Sequence, residues 1–382
     1  MKKTICRITP WLVLWGGLCI AVSPGAGGTP PTTMPGVHKS SAFVKIPQKE
    51  LAVRFLDVNT GEVVRQVPAG GLGSYFTCFS PDGKLLAVGF VGRVRVYETT
   101  DWKMLWEKPT EGTARVTFSP DSRKLGWQDW TGTPIHIGSS VSGKEIRALP
   151  IEPKSECLIT FSPDGKLFLA GRCWRSPQVI IWDANTWDRV ETIDCEPSGG
   201  AGHILSLAVS PDSTRLAIAR HITVRGSNSS GPTTRDSALS YRSWRVVELG
   251  LLRGEHNWVK VNKKYHRRDG VQVCFTPDGS SLIVGGSGNP YSFHHPTSGK
   301  AVKSPNFPRG NWMPPNSITG PFCLSPDGNL LCVIEYGRLY LFETATGRKI
   351  RIWKFGKFCP GEPCFSPDGK ILVVPEAQPI PW

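Results

Sequence analysis

The stretch Thr77-Cys78-Phe79-Ser80-Pro81-Asp82-Gly83-Lys84-Leu85-Leu86-Ala87-Val88 sets two short apolar runs on either side of a tight turn. Pro presets φ for the second turn position, Asp bonds back to nearby backbone, and Gly accepts positive φ. The two runs read as an antiparallel hairpin, strands a and b. The turn returns at Ser119-Pro120-Asp121, Ser162-Pro163-Asp164, Ser210-Pro211-Asp212, Thr276-Pro277-Asp278, Ser325-Pro326-Asp327 and Ser366-Pro367-Asp368. Five copies continue with Gly and two with Ser. Successive prolines lie 39, 43, 48, 66, 49 and 41 residues apart, and recurrence near this period marks a stacked repeat.

A second hairpin, strands c and d, follows each of the first six copies. Its turns centre on Gly61, Trp102, Gly143, Trp187, Gly254, Gly299 and Gly347, the Gly61 turn preceding the first copy. Arg338-Leu339-Tyr340-Leu341-Phe342 and Lys349-Ile350-Arg351-Ile352-Trp353 flank the last. Four antiparallel strands per unit of roughly 40 residues describe a propeller blade. The chain opens on a c–d hairpin, Leu51 to Val67, and closes on an a–b hairpin, Phe365 to Val374. The halves complete one blade, so the expectation is an all-β, seven-bladed β-propeller closed by strands from both termini. Closure removes the exposed edges of an open array.

Residues from about 50 to 375 resemble the WD40-repeat family through their sevenfold Phe-Ser-Pro-Asp-Gly-like turns. Trp182-Asp183 keeps the family's dipeptide; Tyr97-Glu98, Phe342-Glu343, Leu56-Asp57, Gly138-Ser139 and His294-His295 stand in the same place elsewhere. Gly202-His203 is the one clear Gly-His pair. The pattern is closer to divergent bacterial members, and TolB-type propellers carry similar turns.

The chain has 382 residues. Lys2, Lys3 and Arg7 precede an uncharged, mostly apolar stretch, Trp11 to Val22, shorter than the roughly 20 residues of a transmembrane helix. Residues 1–28 therefore read as an export signal, with an uncleaved membrane anchor as the alternative. Gly16-Gly17-Leu18 before Cys19 is a poor lipobox. Residues 29–49 read as a disordered linker with several prolines and no acidic residue before Glu50, and residues 50–382 as the propeller. The expected location is periplasm, envelope or outside the cell.

Net charge is +14 with 45 Lys+Arg and 31 Asp+Glu; loss of Lys2, Lys3 and Arg7 leaves 42 − 31 = +11. Between His221 and Gly270 stand ten Lys/Arg against four Asp/Glu, a net +6. That points to acidic partners, glycans or anionic surfaces. Export and the lack of a nucleic-acid fold argue against nucleic acid.

Eleven cysteines in an exported chain raise the question of disulfides. Cys78, Cys274, Cys323 and Cys364 each precede the apolar residue that opens a turn, where other repeats carry Thr117, Thr160 and Ala208. They read as small strand residues. Cys157, Cys173, Cys195, Cys332 and Cys359 have no deducible pairing; Cys359 and Cys364, flanking Pro360-Gly361-Glu362-Pro363, are a candidate bridge. No Cys-x-x-Cys, nucleophile elbow, His-Glu-x-x-His or phosphate loop occurs. Adjacent strand residues point to opposite faces, so His294-His295 reads as strand packing and not as a metal site. No catalytic residue, metal or cofactor is expected.

The distance from a–b proline to the next c–d turn is 21, 23, 24, 43, 22 and 21 residues. The value 43 places an insertion of about twenty residues in one b–c connection, roughly His221 to Arg242. It carries Arg225, Arg235, Tyr241 and Arg242. The d–a connection of the same blade holds Lys263, Lys264, Tyr265, His266, Arg267 and Arg268, and that of the next holds Arg309 and Trp312. All three belong to one rim. Long loops on a rigid scaffold carry function, so these twelve residues are the candidate contact surface for a protein or an acidic or glycan ligand. The expected function is a monomeric, non-enzymatic binding scaffold. The alternative is a propeller enzyme or small-ligand sensor working at the mouth of the central channel.

Overall fold

The repeated turn explains its own sequence once its hydrogen bonds are traced. In the computed structural model the Ser80 hydroxyl donates to Asp82 Oδ1 at 2.6 Å and accepts from Leu85 N at 2.9 Å. Asp82 Oδ1 also accepts from Lys84 N at 3.1 Å, and Gly83 N donates to Ser80 O at 2.8 Å. One hydroxyl and one carboxylate thus satisfy the turn and the first rung of the ladder. Ser162 with Asp164 and Ser366 with Asp368 repeat the arrangement. The residue after Asp has positive φ in all seven copies, including Ser122 at 62° and Ser213 at 58°.

The structure describes residues 43–45, 51–69, 73–129, 134–151, 157–172, 177–195, 200–225, 241–261, 271–286, 289–303, 319–335, 337–355 and 359–377. All regular elements among them are β-strands, and the architecture is an all-β propeller. The seven expected c–d turn centres also have positive φ, from 62° at Trp102 to 82° at Gly61. Asp57, Asp183 and His295, standing in the Trp-Asp aspartate position, cap this second turn. Asp57 Oδ1 accepts from Thr60 N at 2.7 Å, Asp183 Oδ1 from Thr186 N at 3.0 Å, and His295 Nδ1 from Thr297 N at 3.3 Å.

Strand Ala52–Asp57 pairs antiparallel with Ile371–Ala377, in register Val53↔Pro375 to Asp57↔Ile371. Residues from the two ends of the chain therefore share one sheet. Across that seam Arg54 Nε lies 2.6 Å from Glu376 Oε1, with side chains 3% and 0% exposed. Glu376 Oε2 accepts from Ala52 N at 3.2 Å, and Arg54 Nη1 donates to Gln66 Oε1 at 2.7 Å.

The described strands form six sheets, where seven were expected. The difference lies in one six-stranded sheet that spans Ser74 to Leu149. Leu85–Glu98 runs for 14 residues and doubles back near Gly92, so that Thr99 N reaches Lys84 O at 2.9 Å. Met104–Phe118 runs for 15 residues; its first half pairs with Leu85–Glu98 and its second with Lys124–Asp129. No loop separates the d strand of one repeat from the a strand of the next, so two units merge. Gly89 permits the approach: a Cβ there would lie 1.8 Å from the Ala114 carbonyl oxygen.

The expected linker also differs, since Phe43–Lys45 pairs in parallel with Lys349–Lys354 as a fifth strand. Residues 1–28 and the rest of the linker lie outside the described residues. The candidate Cys359–Cys364 bridge is absent, because Cys364 is a free thiol; Cys78, Cys157, Cys195, Cys274, Cys323 and Cys332 are free as well. Cys173 lies outside the described residues.

Seven hydrophobic clusters hold the repeats together, each built from two consecutive units. Leu56 and Val374, for example, pack with Leu339 and Trp353. Each buried aliphatic or aromatic side chain contributes about 1.5–3 kcal/mol. The a–b turns touch as well. Asp82 N donates to Ser122 Oγ at 3.0 Å, and Asp164 N to Ser213 Oγ at 2.9 Å. A Cβ on Gly83, Gly165, Gly279, Gly328 or Gly369 would fall 3.2–3.9 Å from Pro367, Pro120, Pro211, Pro277 or Pro326. Those seven contacts close a circle of turns.

Burial by itself would raise the Asp82 carboxyl, but the Ser80 hydroxyl, Lys84 N–H and Ser122 hydroxyl outweigh it and hold it below the ordinary value. Asp121, Asp212, Asp278 and Asp368 are depressed in the same way. A carboxyl whose folded value is depressed stabilises the fold above its unfolded pKa, about 3.9, and loses that contribution as pH falls through the folded value. Thermal melts should hold steady from about pH 7 to 5 and drop below about pH 4. Asp82→Asn should lower the midpoint at neutral pH and flatten the acid limb; an acid limb identical to wild type would refute the assignment.

Candidate functional site: a strand-built arm and the central channel

The insertion is not a loose loop from its first residue. Gly200–Val209, Arg215–Arg225 and Tyr241–Leu251 run for 10, 11 and 11 residues, against 5 or 6 in Cys157–Phe161, Leu167–Arg172 and Gln178–Asp183. Ile222, Thr223 and Val224 follow one another in the added stretch, β-branched residue types that favour strands. The ladder continues from Arg220↔Val246 to Arg225↔Tyr241, with Val224 opposite Arg242. Five further residue steps at about 3.4 Å carry the hairpin roughly 17 Å past Arg220. Gly200–Val209 supports it as a third strand, from Ile204↔Arg220 to Gly200↔Val224.

The base of this arm is braced. Arg220 forms a two-pronged pair with Glu248, Nε–Oε2 and Nη2–Oε1 both 2.8 Å, with side chains 11% exposed on each side. Arg220 Nη1 also donates to Cys195 O. A planar guanidinium matching a carboxylate fixes both position and direction. Above it the His203 and His221 rings stack, centroids 5.7 Å apart and 14° from parallel.

Of the sequence-predicted contact residues, Arg225, Tyr241 and Arg242 are brought together at the end of the arm. Arg235, Lys263, Lys264, Tyr265, His266, Arg267, Arg268, Arg309 and Trp312 lie outside the described residues. His294 is buried, its Nδ1 3.1 Å from Gly299 O and its Nε2 2.9 Å from Ser292 Oγ, while His295 caps its turn. Among the described residues no three His, Cys, Asp or Glu side chains converge on a metal position.

Sequence reasoning read the a strands as packing and put only its alternative site at the channel mouth; in the structure these strands wall a central cavity of about 120 Å³. Six a strands contribute. Their free inner N–H groups are met by side chains of neighbouring repeats. Cys157 N donates to Gln128 Oε1 at 2.9 Å, Val273 N to Ser206 Oγ at 3.1 Å, and Phe322 N to Gln272 Oε1 at 2.9 Å. Cys78, Cys274, Cys323 and Cys364 all face this space. Burial pushes the Cys78 thiol up to about 11 and raises Cys364 as well. Among the described residues of the wall the charged ones are Arg115 and Glu362, 3.5 Å apart. Arg115 lies over the Phe76 ring at 4.3 Å. The only signal in the sequence was that four cysteines hold equivalent positions.

No protein-family description matches the chain, and no curated protein matches it. Among solved structures the chain is similar to Kuenenia stuttgartiensis hydrazine synthase, with a TM-score of 0.56 and 16% identity, over 81% of this chain and 94% of that one. At that identity the likeness is one of fold.

Proposed function

We propose that this chain is an exported, non-enzymatic propeller that acts as a binding scaffold, taking an acidic protein surface or an acidic glycan at its basic rim. The observation that supports this reading best is the braced three-stranded arm ending at Arg225 and Tyr241. A mere tolerated insertion has no need of added ladder or a two-pronged ion pair at its base. The net +6 between His221 and Gly270 supplies the attraction. The alternating turns support a divergent WD40-like kinship. The circle of seven turns and the seven inter-repeat clusters support reading the six-stranded sheet as two blades joined without a loop, giving seven blades.

The test replaces residues 227–239 by a short turn and, separately, combines Arg225→Glu with Arg242→Glu. Both variants should melt within a few degrees of wild type, because they leave the arm's base in place. Affinity for heparin, and recovery of partners from an envelope extract, should fall roughly tenfold or more and do so less at high salt. Unchanged binding in both variants would remove the rim from consideration.

A further inference from the structure

We propose that the central channel is a binding site for a neutral, largely apolar small molecule with one hydrogen-bonding end. The walls decide the class. Phe76, Phe118 and Phe322 stand with four thiols and with prolines of the a–b turns. Sulfur beside aromatic rings makes a soft, polarisable surface that suits apolar and aromatic ligands. Burial raises the Cys78 and Cys364 thiols, so these two stay protonated at neutral pH and add no charge. The cysteines sit on four different strands, and no three potential ligands converge on a metal position among the described residues.

One end of the channel carries its polarity. Arg115 and Glu362 have side chains 9% and 13% exposed and lie 3.5 Å apart. They neutralise each other in a poorly hydrated place. A ligand with net charge would have to part them or leave its own charge uncompensated, which is costly away from water. A neutral carbonyl or hydroxyl can share their donors and acceptors without parting them. From Phe76 to Phe79 the wall follows three residue steps of strand, roughly 10 Å, before the a–b turn closes it. The ligand is therefore small, its polar end beside Arg115 and its body among the thiols. Pockets that hold such molecules are mostly apolar with a few placed polar groups.

The experiment uses the full chain and two fluorescent probes that share an arylaminonaphthalene body. N-phenyl-1-naphthylamine is neutral; 8-anilinonaphthalene-1-sulfonate is an anion. The expected result is saturable, one-to-one binding of the neutral probe and at least roughly tenfold weaker binding of the sulfonate, a difference of about 1.4 kcal/mol. Cys78→Phe and Cys323→Phe, on different walls, should each weaken the neutral probe roughly tenfold or more while the melt stays cooperative. If either variant misfolds, a second measurement decides: in wild type, saturating neutral probe should slow the modification of Cys323 by methyl methanethiosulfonate, read by peptide mass. Absence of binding, preference for the sulfonate, unaltered binding in folded variants, or an unprotected Cys323 would each overturn the proposal. None of these outcomes bears on the arm, whose variants leave the channel wall intact.

Discussion

Glu376→Ala should destabilise the protein by about 3–5 kcal/mol, a large share of the 5–15 kcal/mol that typically separates folded from unfolded chains. The Arg54–Glu376 pair is 2.6 Å long and essentially unexposed, and it joins strand Ala52–Asp57 to strand Ile371–Ala377. Removing the carboxylate strands the guanidinium of Arg54 inside the sheet and also removes an acceptor from Ala52 N. The penalty is that of an uncompensated buried charge and not the net strength of the pair. The double variant Arg54→Met/Glu376→Leu should therefore recover most of the loss, since apolar pairs of similar volume are often neutral replacements. Urea titrations with an unchanged slope read both effects. A single-variant loss below about 1 kcal/mol would show that the seam does not depend on the pair. Truncation after Lys357 removes Ile371–Ala377 altogether and should abolish the cooperative transition.

Trp353→Ala should cost about 3–5 kcal/mol through the cavity it opens. Trp353 is fully buried and packs where its repeat meets Leu56 and Val374 of the sheet shared by both termini. Its Nε1 donates to Gly61 O at 2.8 Å, and Arg351 covers its ring at 5.7 Å. Gly61 cannot respond by growing, because a Cβ there would meet Arg351 Nη1 at 1.9 Å and its φ is 82°. Trp353→Phe keeps most of the volume but loses the indole donor, leaving the Gly61 carbonyl without that partner. It should cost about 1–2 kcal/mol, below the alanine variant. Equal losses for the two variants would mean that packing contributes little at this interface.

The same logic explains why two c–d turns carry tryptophan. Where the preceding repeat supplies Trp353 or Trp106, the turn residue is Gly61 or Gly143, and the Trp106 indole donates to Ser140 O at 2.8 Å. After the d strands Val63–Pro68 and Glu145–Leu149, which have no aromatic, the turn supplies its own, whereas Arg189–Asp194 also lacks one and is followed by Gly254. Trp102 then packs edge-on against Phe55 at 4.3 Å, and Trp187 against Phe168 at 6.1 Å. Burial of the large ring offsets the cost of left-handed backbone at a non-glycine residue.

Much of the fold was legible in sequence because turn chemistry is local. Ser, Pro, Asp and Gly need only their near neighbours to form the a–b turn, and every c–d turn centre read from the chain has positive φ. The meeting of the two ends was legible too, since half a blade at each end has only the other half to pair with. The merged sheet was not: whether the chain between two repeats is a loop or an unbroken strand depends on a partner strand close enough to hold it. Gly89 was visible, but its purpose depends on the Ala114 carbonyl it lets approach.

For the candidate sites, spacing located the insertion and its charge. Only the structure turned its beginning and end into an arm, because cross-strand pairing from Arg220 to Arg225 is a property of two distant segments at once. The channel had no sequence signature beyond four equivalent cysteines. By itself the sequence determined the repeat, its turns and the joining of its ends, because those rest on contacts a few residues long or on a simple count of halves. Tertiary structure alone decided that equivalent positions face one shared space, that Arg115 meets Glu362 there, and that Arg54 meets Glu376 at the seam. Those contacts join residues hundreds of positions apart, and nothing but closure of the sheets brings them within reach.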